Sequence, residues 1–292
     1  AVANLDKPRS VQVDPAKLTD NPDEVLNDPE IDVIVEVIGG TGAARDMIMA
    51  ALERGKHVVT ANKDLMALHG QEVLRKAAEK GCDVFYEASV AGGVPILRTL
   101  VDGFSSDRIY KIMGIVNGTT NYILSKMSQD GAAYEDVLRE AQELGYAEAD
   151  PTNDVGGFDA AYKMAILATL GFHAKINFRD VSVKGITGVG IEDIQYAKRL
   201  GYEMKLLGIA ESKNGHVHVA VEPTLVSKDH PLAAVSGVFN AIYVYGEAVG
   251  ETMFYGRGAG EMPTATSVVA DIVAVVKNLK LGTNGRRSQM SY

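Results

Sequence analysis

The sequence predicts an α/β fold: a doubly wound, Rossmann-like parallel sheet, plus an α+β unit built on a mainly antiparallel sheet. Three observations carry this. From Ile31 to about Val90, β-branched apolar runs alternate with helix-spaced segments, as in parallel sheets with crossover helices. Beyond residue 180, strand-like runs are separated by turn residues instead, as in antiparallel sheets. Between them lies an acidic block rich in Gly and Pro, GYAEADPTNDVGGFDAAYK (145–163), which leads into the apolar run MAILATLGF.

Taken in order, AVANLDKPRS reads as the end of a strand running into a loop. LTDNPDEVLNDPE is a short acidic helix with Asp and Pro at its ends. IDVIVEVIGGTG, ending on Gly39, Gly40 and Gly42, reads as a strand buried on both faces. Ala43 to Arg54 has helical apolar spacing and stops at Gly55. KHVVTAN is a strand, KDLMALHGQEVLRKAAEKG a helix and CDVFYEASV a strand. No G-x-G-x-x-G precedes this alternation, and the nearest likeness, G-R-G-A-G at 256–260, lies near the other end. A pyrophosphate needs glycine backbone at a helix N-terminus, so the chain is expected to lack its first β-α unit.

After Gly93 the texture changes. PILRTLVDGFSSDRIYKIMGIVNGTTNYIL holds a helix, a β-rich run to about Val116, and NGTT opening another helix. AAYEDVLREAQELG is an amphipathic helix stopped by Gly145. VSVKGIT, EMKLLGIAESKNGHVHVAVEPTLV and FNAIYVYGEAVGETMFYG read as strands, with a hairpin at Asn214-Gly215. TATSVVADIVAVVKNL is a closing apolar helix that returns to the first unit. The division expected is 1–92 with 257–280 returning, 93–256, and a patternless polar tail at 281–292.

A formal net charge of −9 argues against nucleic acid or an anionic membrane as partner. No apolar run reads as long enough for a membrane span, and no signal-peptide pattern opens the chain, so a cytoplasmic location is expected. Cys82 is the only cysteine; within CDVFY it reads as a core thiol, with no disulfide framework. His216 and His218 alternate along a strand but have no third ligand nearby.

Ligands bind at the carboxyl ends of parallel strands. Those ends are IGGTG (38–42), TANK (60–63) and EASVAGG (87–93). In the acidic block, Glu148, Asp150, Asp154 and Asp159 precede Lys163, and Asp159 and Lys163 share one helix face. In isolation, D-x-x-x-K reads as a weak surface pair. Here the helix is otherwise apolar, and a buried lysine beside carboxylates is costly unless it has a task.

The stretches EVIGGT, VTANK, YEASVAGGVPI, GIVNGTTNYIL, LGYAEADPTNDVGGFDAAYKMAILA and YGRGAGEMPTATSVVAD, spread over residues 30–272, together resemble homoserine dehydrogenases of amino-acid biosynthesis. The resemblance implies an NADP- or NAD-dependent interconversion of L-homoserine and L-aspartate 4-semialdehyde, serving threonine and methionine synthesis. It implies a nucleotide domain at 1–92, a catalytic and dimerisation domain at 93–256, and a homodimer or higher homo-oligomer. Residue by residue, it makes Lys163 the proton donor, Asp159 a further catalytic group and Lys63 a second active-site lysine. Glu148, Thr119 and Asp154 would contact substrate. Ile38, Gly39, Ala61, Lys63, Gly145 and Gly260 would line the cofactor. Glu87 with the carbonyls of Val90, Gly92 and Val94 would hold a sodium ion, since oxygen-only ligation suits a hard cation; the alternative is a metal-free hinge loop.

Three departures from the family stand out. The glycine fingerprint is absent, and no regulatory domain is expected from the residues after 285. Ala3-Asn4 stands where many relatives carry Arg-Asp, which leaves NAD versus NADP open. The rival expectation is an incompetent fragment, or a non-catalytic dimerisation or amino-acid-sensing relative. The intact acid–lysine block argues against it. A semialdehyde oxidoreductase working through an acyl intermediate would need a reactive thiolate, for which mid-strand Cys82 is the wrong setting.

Overall fold

In the computed structural model, which describes residues 1–285, the β-branched runs of the first third pair side by side. After α1 (Pro22–Asn27), the elements are β1 (Val33–Glu36), α2 (Ala43–Glu53), β2 (His57–Thr60), α3 (Lys63–Lys80) and β3 (Val84–Phe85). The strands form a parallel sheet in the order β1-β2-β3, with Val33 opposite His57 and Glu36 opposite Thr60. Asn62 caps α3 by accepting from the Leu65 N–H (3.1 Å), and Gly81 ends that helix in the left-handed region.

The remainder comprises β4 (Ile109–Ile115), α4 (Gly118–Asp130), α5 (Tyr134–Glu143), α6 (Thr152–Val155), α7 (Phe158–Phe172), β5 (Ser182–Val183) and α8 (Ile191–Arg199). Then come β6 (Tyr202–Lys213), β7 (His216–Ser227), β8 (Phe239–Gly246), β9 (Gly250–Arg257) and α9 (Glu261–Leu281). The second sheet runs β5-β7-β6-β4-β8-β9, antiparallel except where β5 meets β7. Asn214 and Gly215 both have positive φ at the β6–β7 turn, as a type I′ hairpin requires.

α7 lies between the layers, packed on β4, β6 and β7 and also on α3. Ala161, Met164, Leu167 and Ala168 are fully buried, and the helix approaches closely because Gly208 has no side chain. A Cβ there would lie 2.2 Å from Met164 Cγ. The outer face of the antiparallel sheet carries a smaller core of Leu207, Leu232, Val235 and Ala241. Beside it Lys205 is 3% exposed and donates to the Val235 carbonyl, which also accepts from Asn121 (3.3 Å).

Several expectations need correction. Residues 1–10 form no strand; the Val2 N–H instead donates to the Thr19 carbonyl (2.8 Å). The third strand stops at Phe85 because a 3-10 turn at Glu87–Ser89 follows, with the Glu87 carboxylate turned to the Leu97 and Arg98 N–H groups (both 2.8 Å). VSVKGIT yields only Ser182–Val183 as strand. α9 is long and apolar enough to cross a membrane, contrary to expectation. It packs against β1 and β2, and its buried Asp271 pairs with Arg98. The expected tail falls partly at 286–292, outside the described residues.

Candidate active site

The loop after α6 turns at Gly157 (φ +85°), and α7 starts at Phe158. Its first turn carries Asp159 and its second Lys163, and the pair meets: Lys163 Nζ donates to Asp159 Oδ2 at 2.7 Å and to the Val116 carbonyl at 2.8 Å. The Lys163 side chain is 12% exposed. From the other layer, Lys63 at the start of α3 brings its Nζ to 3.2 Å from Asp159 Oδ1. One carboxylate thus gathers two ammonium groups, one on each helix.

Burial alone would raise the Asp159 carboxyl, but Lys163 and then Lys63 outweigh it and hold its pKa below the ordinary value. Burial likewise works against the Lys63 ammonium, and the charges of Asp159 and Asp64 overcome it, leaving that amine raised. Asp154 is different: burial dominates and pushes it up, against a hydrogen bond from Asn117. Two acids one helix apart are thereby pushed in opposite directions.

Asn117, just ahead of α4, joins them. Its Nδ2 donates to Asp154 Oδ1 (2.7 Å) and Asp159 Oδ2 (2.9 Å), while its Oδ1 accepts from the Thr120 N–H (2.9 Å). Sequence reasoning quoted this Asn without giving it a role; its place before GTT is an N-cap signal. Thr119 Oγ1 donates to the Tyr146 carbonyl (2.6 Å), which ties the acidic loop to α4. Glu148 sits exposed on that loop, where its carbonyl accepts from Gln142 (3.1 Å); it makes no contact with the lysine cluster.

At the parallel-strand ends, Glu36 is a second group the sequence did not reveal. Its carboxylate accepts from Ile38 N (2.7 Å), Gly39 N (3.0 Å) and Thr60 Oγ1 (2.6 Å), and Asn62 Nδ2 donates to the Gly40 carbonyl (2.7 Å). The loop is held open: Ile38 is 62% exposed, and a Cβ at Gly39, Gly40 or Gly42 would meet nothing within 4 Å. An exposed apolar side chain, open glycine backbone and the neighbouring Ala61 and Lys63 fit the nicotinamide end of a dinucleotide. Gly145 (φ +74°) follows α5 and Gly260 (φ +123°) precedes α9.

Two of the candidate cation ligands also accept hydrogen bonds. Both Glu87 oxygens accept main-chain N–H groups, and the Gly92 carbonyl accepts from Ser267 Oγ (2.7 Å). Gly92 also presses on the G-R-G-A-G turn, since a Cβ there would lie 2.5 Å from the Gly258 carbonyl oxygen. Val90 and Val94 are also buried, and each accepting oxygen keeps a second lone pair.

A parallel α/β layer whose strand ends face a lysine–carboxylate–lysine cluster defines a class, the nicotinamide-dependent dehydrogenases. The comparisons narrow it. A family model for homoserine dehydrogenase matches residues 95–273, and one for the homoserine dehydrogenase NAD binding domain matches residues 1–87. Homoserine dehydrogenase of Bacillus subtilis (strain 168) is 60% identical over 284 residues, covering 97% of this chain and 66% of the relative. The crystal structure of a homoserine dehydrogenase from Thiobacillus denitrificans matches with a TM-score of 0.89 at 49% identity, over 90% of this chain and 61% of that one. A hyperthermophilic archaeal homoserine dehydrogenase in complex with NADPH matches with a TM-score of 0.77 at 30% identity, over 88% and 75%. The chain belongs to the homoserine dehydrogenase family. It spans a little under two thirds of the first curated relatives it matches, 66% and 64% of their lengths.

Proposed function

We propose that the protein carrying this chain interconverts L-homoserine and L-aspartate 4-semialdehyde with NADP or NAD, and that Lys163 is the proton donor. The supporting observation is the convergence of Lys163 and Lys63 on Asp159 beside the parallel-strand ends. A bound nicotinamide supplies the hydride. As the aldehyde is reduced, charge gathers on its oxygen; the Lys163 ammonium stabilises that charge and delivers a proton from Nζ. Lys63 adds a second positive charge, and Asp159 with the Val116 carbonyl fixes the donor's direction. Asp154, Thr119 and Glu148 hold the amino-acid end of the substrate, the carboxylates facing its ammonium.

On this reading residues 1–92, with 257–280 returning, bind the nucleotide through Ile38, Gly39, Ala61, Lys63, Gly145 and Gly260. Residues 93–256 carry catalysis and dimerisation, and the protein works as a cytoplasmic homodimer or higher homo-oligomer. Glu87 with the carbonyls of Val90, Gly92 and Val94 serves as a sodium site or as a metal-free hinge loop, and no catalytic step runs through it. In the full-length protein, Lys163→Ala should abolish homoserine oxidation while cofactor binding, followed by nicotinamide fluorescence, stays nearly intact. Turnover within a few-fold of wild type would remove the proton-donor role.

A further inference from the structure

The Asn117 amide cannot turn over. Its Oδ1 is fixed by the N–H and the hydroxyl of Thr120 (both 2.9 Å), so Nδ2 must point away from the helix it caps. Both Nδ2 hydrogens then find carboxylates, Asp154 Oδ1 at 2.7 Å and Asp159 Oδ2 at 2.9 Å. Asn117 is 5% exposed. A residue that only caps a helix needs one acceptor. This one also spends both donors on acids from two other helices, α6 and α7.

We propose that Asn117 is a positioning residue of the site: its helix-locked amide clamps Asp154 and Asp159 at a fixed separation. Asp159 thereby stays turned towards Lys163 and Lys63, and Asp154 is held out for the substrate's ammonium. The substrate half of this rests on the function proposed above; the clamp itself does not. Asp159 Oδ2 is shared by Lys163 and Asn117. If Asn117 is removed, that oxygen is free to follow Lys163 alone, and the carboxylate can rotate away from Lys63. A neutral donor suits the task, because a third cation would compete with the substrate ammonium for Asp154.

Two substitutions in the full-length protein separate clamping from capping. Asn117→Ser keeps an acceptor for the Thr120 N–H but has no amide to donate; Asn117→Ala loses both. With the clamp, Asn117→Ser should fold with a Tm close to wild type and lose about tenfold or more in kcat/KM for homoserine, the size of a lost hydrogen bond to a charged group. Removing a donor to an ionised acid raises its pKa. In the cofactor-free protein, carboxyl-carbon NMR should therefore show Asp154 and Asp159 titrating at higher pH in Asn117→Ser than in wild type. The proposal is overturned if Asn117→Ser restores wild-type titration and kinetics while Asn117→Ala does not, because capping would then be the whole role. If the wild-type protein does not oxidise homoserine at all, the proposed function fails while the NMR titration still decides the clamp.

Discussion

Lys205 is a cation stored where a hydrocarbon would fit. It lies 3% exposed beside Leu207 and Val235, donates to the Val235 carbonyl, and makes no ion pair among the described residues. Burial dominates and lowers its pKa from 10.5 to about 8, against the charge of Glu203. At about 1.36 kcal/mol per pKa unit, the folded protein holds this ammonium about 3 kcal/mol less favourably than the unfolded chain does. Between pH 8 and 10.5 the unfolded chain binds more protons, so wild-type stability should rise with pH across that window. Lys205→Met, of similar length and uncharged, removes the penalty and gives up one hydrogen bond to a carbonyl that Asn121 also serves. The net expectation is a gain of about 2 kcal/mol at pH 7 that falls as pH rises and becomes a loss of about 1 kcal/mol or less by pH 10.5. Urea unfolding of both proteins at several pH values measures this. A Met variant less stable than wild type at pH 7, or a difference that does not change with pH, would refute the reasoning.

Other outcomes are specific. Asp159→Asn should leave Lys163 and Lys63 without their shared carboxylate and lower kcat by about two to three orders of magnitude, read in steady-state kinetics at saturating homoserine. Asp154, raised by burial, must be ionised to hold an ammonium. The KM for homoserine should therefore worsen on acidification from above the ordinary aspartate range, and Asp154→Asn should raise KM and flatten that limb. Glu36→Gln should loosen the loop at Ile38 and Gly39 and weaken dinucleotide binding in a fluorescence titration, with little change in homoserine KM at saturating cofactor. Gly92→Ala combines a left-handed φ of +49° with a backbone clash at Gly258 and should cost about 2 kcal/mol or more. Gly70→Ala, inside α3 with only Met66 near, should be neutral or stabilising by up to about 1 kcal/mol. Melting temperatures of the two glycine variants distinguish these.

The Asp159–Lys163 contact was legible because four residues on one apolar helix fix its geometry before any tertiary structure exists. Lys63 was placed at a strand end by pattern, yet nothing local says that it reaches Asp159, because that depends on α3 lying along α7. Asn117 shows the limit most clearly. Its cap can be read from N-G-T-T, but its second bond set joins segments far apart in sequence. Glu36 hid inside a β-branched run, where the pattern promised only core. CDVFYEASV read as one strand because apolar content does not reveal that Glu87 turns inward to bind two N–H groups. Glu148 acquired a role only through resemblance, and the fold leaves it on an exposed loop.

Lys63 rides on a helix anchored in the parallel layer, whereas Asp159 belongs to the helix seated on the antiparallel one. On the proposed function the bond between them is at once part of the chemistry and a latch across the seam. Any swing that parts the two layers stretches it and strips Asp159 of one of its cations. Lys163, on the same helix as Asp159, would keep its bond through such a swing, so the loss would fall on Lys63 alone.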